Sequence, residues 1–83
     1  MNITIEELKK LEKGTYQIID IRDENEVAHG AIPGAVATPS DTIEGNPAID
    51  FSKKLVICCS RGRFSVEVAE LLEEKGMDAV SLE

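Results

Sequence analysis

The chain has 83 residues, with 16 Asp and Glu against 9 Lys and Arg, giving a net charge of −7 at pH 7. That length admits one small domain, residues 1–83, which buries only about 60% of the surface its unfolded chain exposes, so the core is thin. The acidic balance disfavours nucleic acid and anionic membrane surfaces, whose phosphates call for clustered Lys and Arg. No apolar run approaches the ~20 residues of a membrane span. The two cysteines are adjacent and make no disulfide framework. With no signal-peptide pattern at the start, a reduced, cytoplasmic protein is the default expectation.

Thr4, with Glu7 three residues on, forms a capping-box pattern, and Ile5, Leu8 and Leu11 continue a helical period as far as Gly14. Residues 16–21 are dense in β-branched side chains and read as a strand. Acidic residues at the start of 23–27 fit the first turn of a short helix. Gly30, Pro33 and Gly34 mark a turn before a brief strand over 35–38. From Pro39 to Ser52 the pattern weakens to loops with one helical turn. Residues 54–58 read as an interior strand, apolar on both faces. Phe64, Val68, Leu71 and Leu72 fall at helical spacing and predict a helix over 64–75, ended by Gly76. Residues 79–82 form a last strand. Strands alternating with helices imply an α/β fold, with a small, mostly parallel sheet covered by helices on both faces.

The chemistry gathers where the 54–58 strand meets the following helix. Cys59 leaves the strand into Ser60, Arg61, Gly62 and Arg63, and the helix begins near Phe64. Amides at a helix N-terminus and nearby guanidinium groups both favour a thiolate. Reactive groups in parallel sheets collect at the carboxyl ends of strands, which is where Cys59 and the segment Asp20 to Arg22 fall. Cys58, as the last strand residue, is expected to point into the sheet packing as a small hydrophobe.

Three segments in order resemble the rhodanese-like domain of the single-domain sulfurtransferase type. Ile19-Asp20-Ile21-Arg22-Asp23 is similar to the family's strand ending in Asp-Val-Arg-Glu. The run from Glu26 to Ala35 resembles Glu-Phe-x-x-Gly-His-Ile-Pro-Gly-Ala, with His29 before Gly30 rather than after it. Val56 to Ser65 resembles the family's strand, its Cys-Arg-Ser-Gly-x-Arg loop and the following helical Ser. This register implies Cys59 as the catalytic residue. It also implies an active-site loop of Ser60, Arg61, Gly62, Arg63, Phe64 and Ser65, with Asp20 and Arg22 supporting it. Phe64 stands where the family usually has Arg, while Arg61 and Arg63 keep the loop cationic. The family's closing C-terminal helix is lacking, since the chain stops at Glu83. The resemblance then leads to the expectation either of an uncovered flank of the sheet, which favours self-association or a larger protein partner, or of a fragment of a longer protein.

The resemblance implies that Cys59 takes sulfane sulfur from a donor such as thiosulfate or a persulfide and passes it to a thiophilic acceptor, a thiol or cyanide. It implies no metal and no organic cofactor. Three alternatives stand beside this reading. A phosphatase loop of the same fold needs Arg six residues after its Cys, but Phe64 and Ser65 occupy those positions counted from Cys58 and Cys59. A catalytically weak or inactive binding or regulatory module would suit the loss of the usual loop Arg. A redox sensor would use Cys58 and Cys59 together, through a strained bond between neighbours. His29 is read as an exposed or packing residue, because a single histidine makes no metal site.

Overall fold

In the computed structural model, residues 2–22, 34–38, 40–59 and 63–82 are described. Strand β1 (Asn2–Ile3) leads into helix α1 (Ile5–Lys9), followed by β2 (Tyr16–Asp20) and β3 (Val36–Ala37). A 3₁₀ helix spans Ser40–Gly45, and β4 (Lys54–Cys58), α2 (Arg63–Glu74) and β5 (Ala79–Leu82) complete the order. The strands form one sheet in the order β1-β5-β4-β2-β3, with every pairing parallel. Parallel neighbours need crossover connections, and these lay helices on the sheet faces.

Strand β4 lies at the centre, and Leu55, Val56 and Ile57 are each fully buried, as the run of apolar residues without alternation requires. Leu55 and Ile57 face the larger core with Ile19, Ile21 and Ala79. That side is covered by Val68, Ala69 and Leu72 of α2, by Ile43 of the 3₁₀ helix and by Ile49. Val56 faces the other way, into a smaller core with Ile3 and Val80, against which Leu8 and Leu11 pack. Among the described residues this second face is the thinner one: Leu8, Leu11, Ile18 and Leu82 are only half-buried there, and Ile5 is exposed.

The capping box of α1 is present in full. Thr4 Oγ1 accepts from the Glu7 amide at 3.1 Å, and Glu7 Oε1 accepts from the Thr4 amide at 3.2 Å. The helix stops at Lys9, however, well short of Gly14. The Lys10 and Leu11 amides donate to the carbonyls three residues back, which tightens the chain out of the α-helix. This turn brings Leu11 onto the same small core as Leu8, and Gly14 then reverses the chain at φ +90°. The expected strands over 16–21 and 35–38 are shorter, Tyr16–Asp20 and Val36–Ala37. The weak segment after Pro39 contains the 3₁₀ helix. Its Ile43 is buried in the larger core, and Glu44 is ion-paired with Lys75, the residue after α2.

Helix α2 is turned relative to the expected face. Its buried residues are Ser65, Val68, Ala69 and Leu72, whereas Phe64 and Leu71 are about half exposed (49% and 51%). The expected helix over 23–27, the turn at Gly30 to Pro33 and His29 lie outside the described residues. No helix among the described residues is long and apolar enough to cross a membrane.

Candidate active site

The sheet brings two of the expected segments to one edge. Asp20 ends β2 and Cys58 ends β4, and the two are register partners. The Ile21 amide donates to the Cys58 carbonyl at 2.9 Å, and the Thr38 amide to the Asp20 carbonyl at 3.0 Å, so the three strand ends are tied together.

Asp20 is fully buried and forms a two-point ion pair with Arg22. Arg22 Nη2 lies 2.8 Å from Asp20 Oδ2, and Nε donates to Oδ1 at 3.0 Å and to Oδ2 at 3.1 Å. The Arg22 amide adds a bond to Oδ1 at 3.0 Å. Burial by itself would raise the Asp20 carboxyl. The hydrogen bonds and charge of Arg22 outweigh it and hold the group below its ordinary value. Asp20 and Arg22 are therefore joined as an ion pair that closes the chain back on itself at the end of β2.

Strand alternation separates the two cysteines. Cys59 follows the parity of Leu55 and Ile57 and packs against the larger core, half-buried. Cys58 takes the parity of Val56 and is buried. Burial pushes the Cys58 thiol up, the Asp20 carboxylate adds to that, and Arg22 only partly opposes it. Neither cysteine forms a disulfide among the described residues. Cys58 is thus buried at the end of its strand, with its thiol favoured over the thiolate.

Cys59 Sγ accepts a hydrogen bond from the Ser65 amide at 3.3 Å. Ser65 is the third residue of α2, in the first turn, where amides have no carbonyl partner within the helix. The sulfur at the end of β4 and the amino end of α2 therefore meet. Of the other loop residues, Ser60, Arg61 and Gly62 lie outside the described residues, as does the Arg63 side chain. Arg63 opens α2, and Phe64 is half exposed. An open groove of about 370 Å³ runs along α2 between Phe64, Val68, Leu71 and Lys75, and Cys59 does not line it.

The sequence pattern marks Ser81 only as part of the last strand, and the structure places its hydroxyl beneath the first turn of α2. Its Oγ lies 2.6 Å from Ser65 Oγ, and both residues are buried. The signal was present, since Ser81 is the one polar residue in the strand 79–82 and shares its parity with the core residue Ala79.

A small parallel sheet with helices on both faces and a strand-end cysteine under a helix N-terminus defines the rhodanese-like architecture. The family model of the rhodanese-like domain matches residues 4–83, and the chain belongs to that family. It is 37% identical over 67 residues to a Bacillus subtilis (strain 168) protein described as "Putative sulfurtransferase YtwF". That match covers 80% of this chain and 65% of the relative, so the chain spans less than two thirds of the relative's length. Among solved structures, a rhodanese-like domain protein from Staphylococcus aureus is 41% identical with a TM-score of 0.83, covering 100% of this chain and 85% of the other. The protein SSP1007 from Staphylococcus saprophyticus is 35% identical with a TM-score of 0.82, covering 99% and 85%.

Proposed function

We propose that the domain is a sulfurtransferase that carries sulfane sulfur on Cys59. The observation that supports this most directly is the Ser65 amide donating to Cys59 Sγ from the first turn of α2. That donor favours negative charge on sulfur, both in the thiolate and in a persulfide formed on it. With thiosulfate as donor, the Cys59 thiolate attacks the outer sulfur, a Cys59 S–S bond forms, and the donor's S–S bond breaks to release sulfite. In the second half-reaction cyanide or a thiolate attacks the outer sulfur, which leaves as thiocyanate or a new persulfide and returns the Cys59 thiolate. Charge balances in both halves, and no external oxidant or reductant enters. Arg61 and Arg63 are assigned to docking an anionic donor, the amides from Ser60 to Ser65 to cradling the persulfide, and Asp20 with Arg22 to holding the neighbouring strand end. A persulfide on a small molecule or a protein is the other donor class this site would serve.

Intact-protein mass spectrometry after thiosulfate, followed by cyanide, tests the reading. One sulfur atom gained on Cys59, then lost with release of thiocyanate, is the expected result. A Cys59 left unmodified by thiosulfate and by a cysteine persulfide would overturn the catalytic role, and the binding-module alternative would take its place.

A further inference from the structure

We infer that Ser81 is a positioning residue for the Cys59 sulfur, acting through Ser65. This rests on the reading of Cys59 as the sulfur carrier. Ser81 lies on β5, paired in register with Ile57 of β4 and Asn2 of β1, and points to the α2 side of the sheet with Ala79. It is 1% exposed among apolar neighbours, where a hydroxyl is unfavourable unless it is hydrogen-bonded. Its partner is the hydroxyl of Ser65, which is 0% exposed, at 2.6 Å. Ser65 in turn presents its amide to Cys59 Sγ at 3.3 Å. A continuous path of contacts therefore runs from β5 to the end of β4 by way of the first turn of α2.

The geometry gives this path a purpose. The positions of β4 and β5 relative to each other are set by their backbone ladder. The first turn of α2 belongs to no ladder, so its height above the sheet depends on the side chains beneath it. Further along, Val68, Ala69 and Leu72 make apolar contacts, whose optimum is broad at about 3.5–4.0 Å. At the turn that carries the sulfur's donor, the contact is instead a short, directional hydrogen bond. A hydrogen bond weakens steeply as it lengthens and tilts, so a fixed turn matters most at this place. Ser81 touches no sulfur itself; it anchors the residue that does.

The test compares Ser81→Ala, Ser65→Ala, the double variant and Ser81→Thr, all in a Cys58→Ala background so that one thiol is read. Cys59 alkylation by iodoacetamide, an uncharged reagent, is followed from about pH 5 to 9, bracketing ordinary thiol titration, with thermal unfolding measured alongside. Ser81→Ala is expected to move the alkylation profile to higher pH and to slow alkylation at neutral pH about three- to tenfold, on the order of a weakened hydrogen bond to a charged group. Ser65→Ala should do the same, the double variant should add nothing, and Ser81→Thr should restore the profile. A Ser81→Ala profile superimposed on the parent's, or losses that add in the double variant, would overturn the assignment even if stability fell. Should Ser81→Ala not fold, Ser65→Ala removes the same bond from the helix side, and an unchanged profile there overturns it equally. Failure of the sulfurtransferase reading is seen separately, as a parent protein that alkylates at Cys59 yet never acquires sulfur.

Discussion

Cys58 and Cys59 are one residue apart and face opposite sides of the sheet, so their fates separate in simple chemistry. Iodoacetamide at neutral pH is expected to label Cys59 in the folded protein and Cys58 only after unfolding, because burial and Asp20 keep Cys58 protonated. Cys59→Ser should abolish sulfur uptake while Cys58→Ala retains it; the reverse pattern in a persulfide mass assay would put the nucleophile on the wrong residue. Asp20 carries a second prediction. Its folded carboxyl titrates below its unfolded value, so its ion pair stabilises the domain above the unfolded value and loses that contribution as pH falls through the folded one. Asp20→Asn leaves Arg22 beside a neutral amide and should cost about 1–3 kcal/mol near neutral pH. In urea titrations that difference should shrink towards zero below about pH 4, where the parent's carboxylate is being protonated as well. A difference that persists unchanged in acid would mean the loss comes from packing rather than charge.

The end of α2 shows how an element can be tested apart from the site. The Gly76 amide donates to the Glu73 carbonyl and the Met77 amide to the Leu72 carbonyl, with Gly76 at φ +93°. That is a Schellman cap, and Met77 and Leu72 share the larger core as its hydrophobic contact. A Cβ at Gly76 would meet open space, so the cost of Gly76→Ala is conformational, about 1–2 kcal/mol. Gly45 is equally open and has no positive φ, so Gly45→Ala should be neutral or slightly stabilising. Equal losses at the two glycines in urea midpoints would refute this account of the cap. Gly76, β4 and β5 were legible because a β-branched run and a lone glycine leave few other readings. The face of α2 was legible only approximately. Phe64 and Leu71 look like core residues by period, but β4 and β5 accept a stripe centred on Ser65, Val68, Ala69 and Leu72. β1 has no sequence signature because two residues carry no period, and it exists through its pairing with β5. Cys59 stood out from local pattern; the Ser65–Ser81 contact joins residues 16 apart and depends on the crossover that brings β5 beneath α2.

At the scale of the molecule, the net charge of −7 and the proposed anionic donor pull against each other. The domain measures 29 × 27 × 24 Å. The screening length is about 30 Å at 0.01 M salt and about 8 Å at 0.15 M. At the lower salt an approaching thiosulfate dianion feels the whole acidic molecule, and at the higher salt only the charges around the site. The proposed docking role assigns Arg61 and Arg63, within four residues of Cys59 along the chain, to that near set. Raising salt over this range therefore removes long-range repulsion faster than local attraction. The expected outcome is a kcat/KM for thiosulfate that rises about two- to fivefold from 0.01 to 0.15 M, modest beside the effects known for strongly focused fields. It should turn down again near 1 M, where a screening length of about 3 Å reaches the loop itself. An uncharged persulfide donor should show no such rise. A thiosulfate rate that falls from the lowest salt onward would mean that the loop arginines outweigh the remaining charge at every range. A flat profile would remove Arg61 and Arg63 from donor docking and shift the choice of donor towards persulfides held by contacts other than charge.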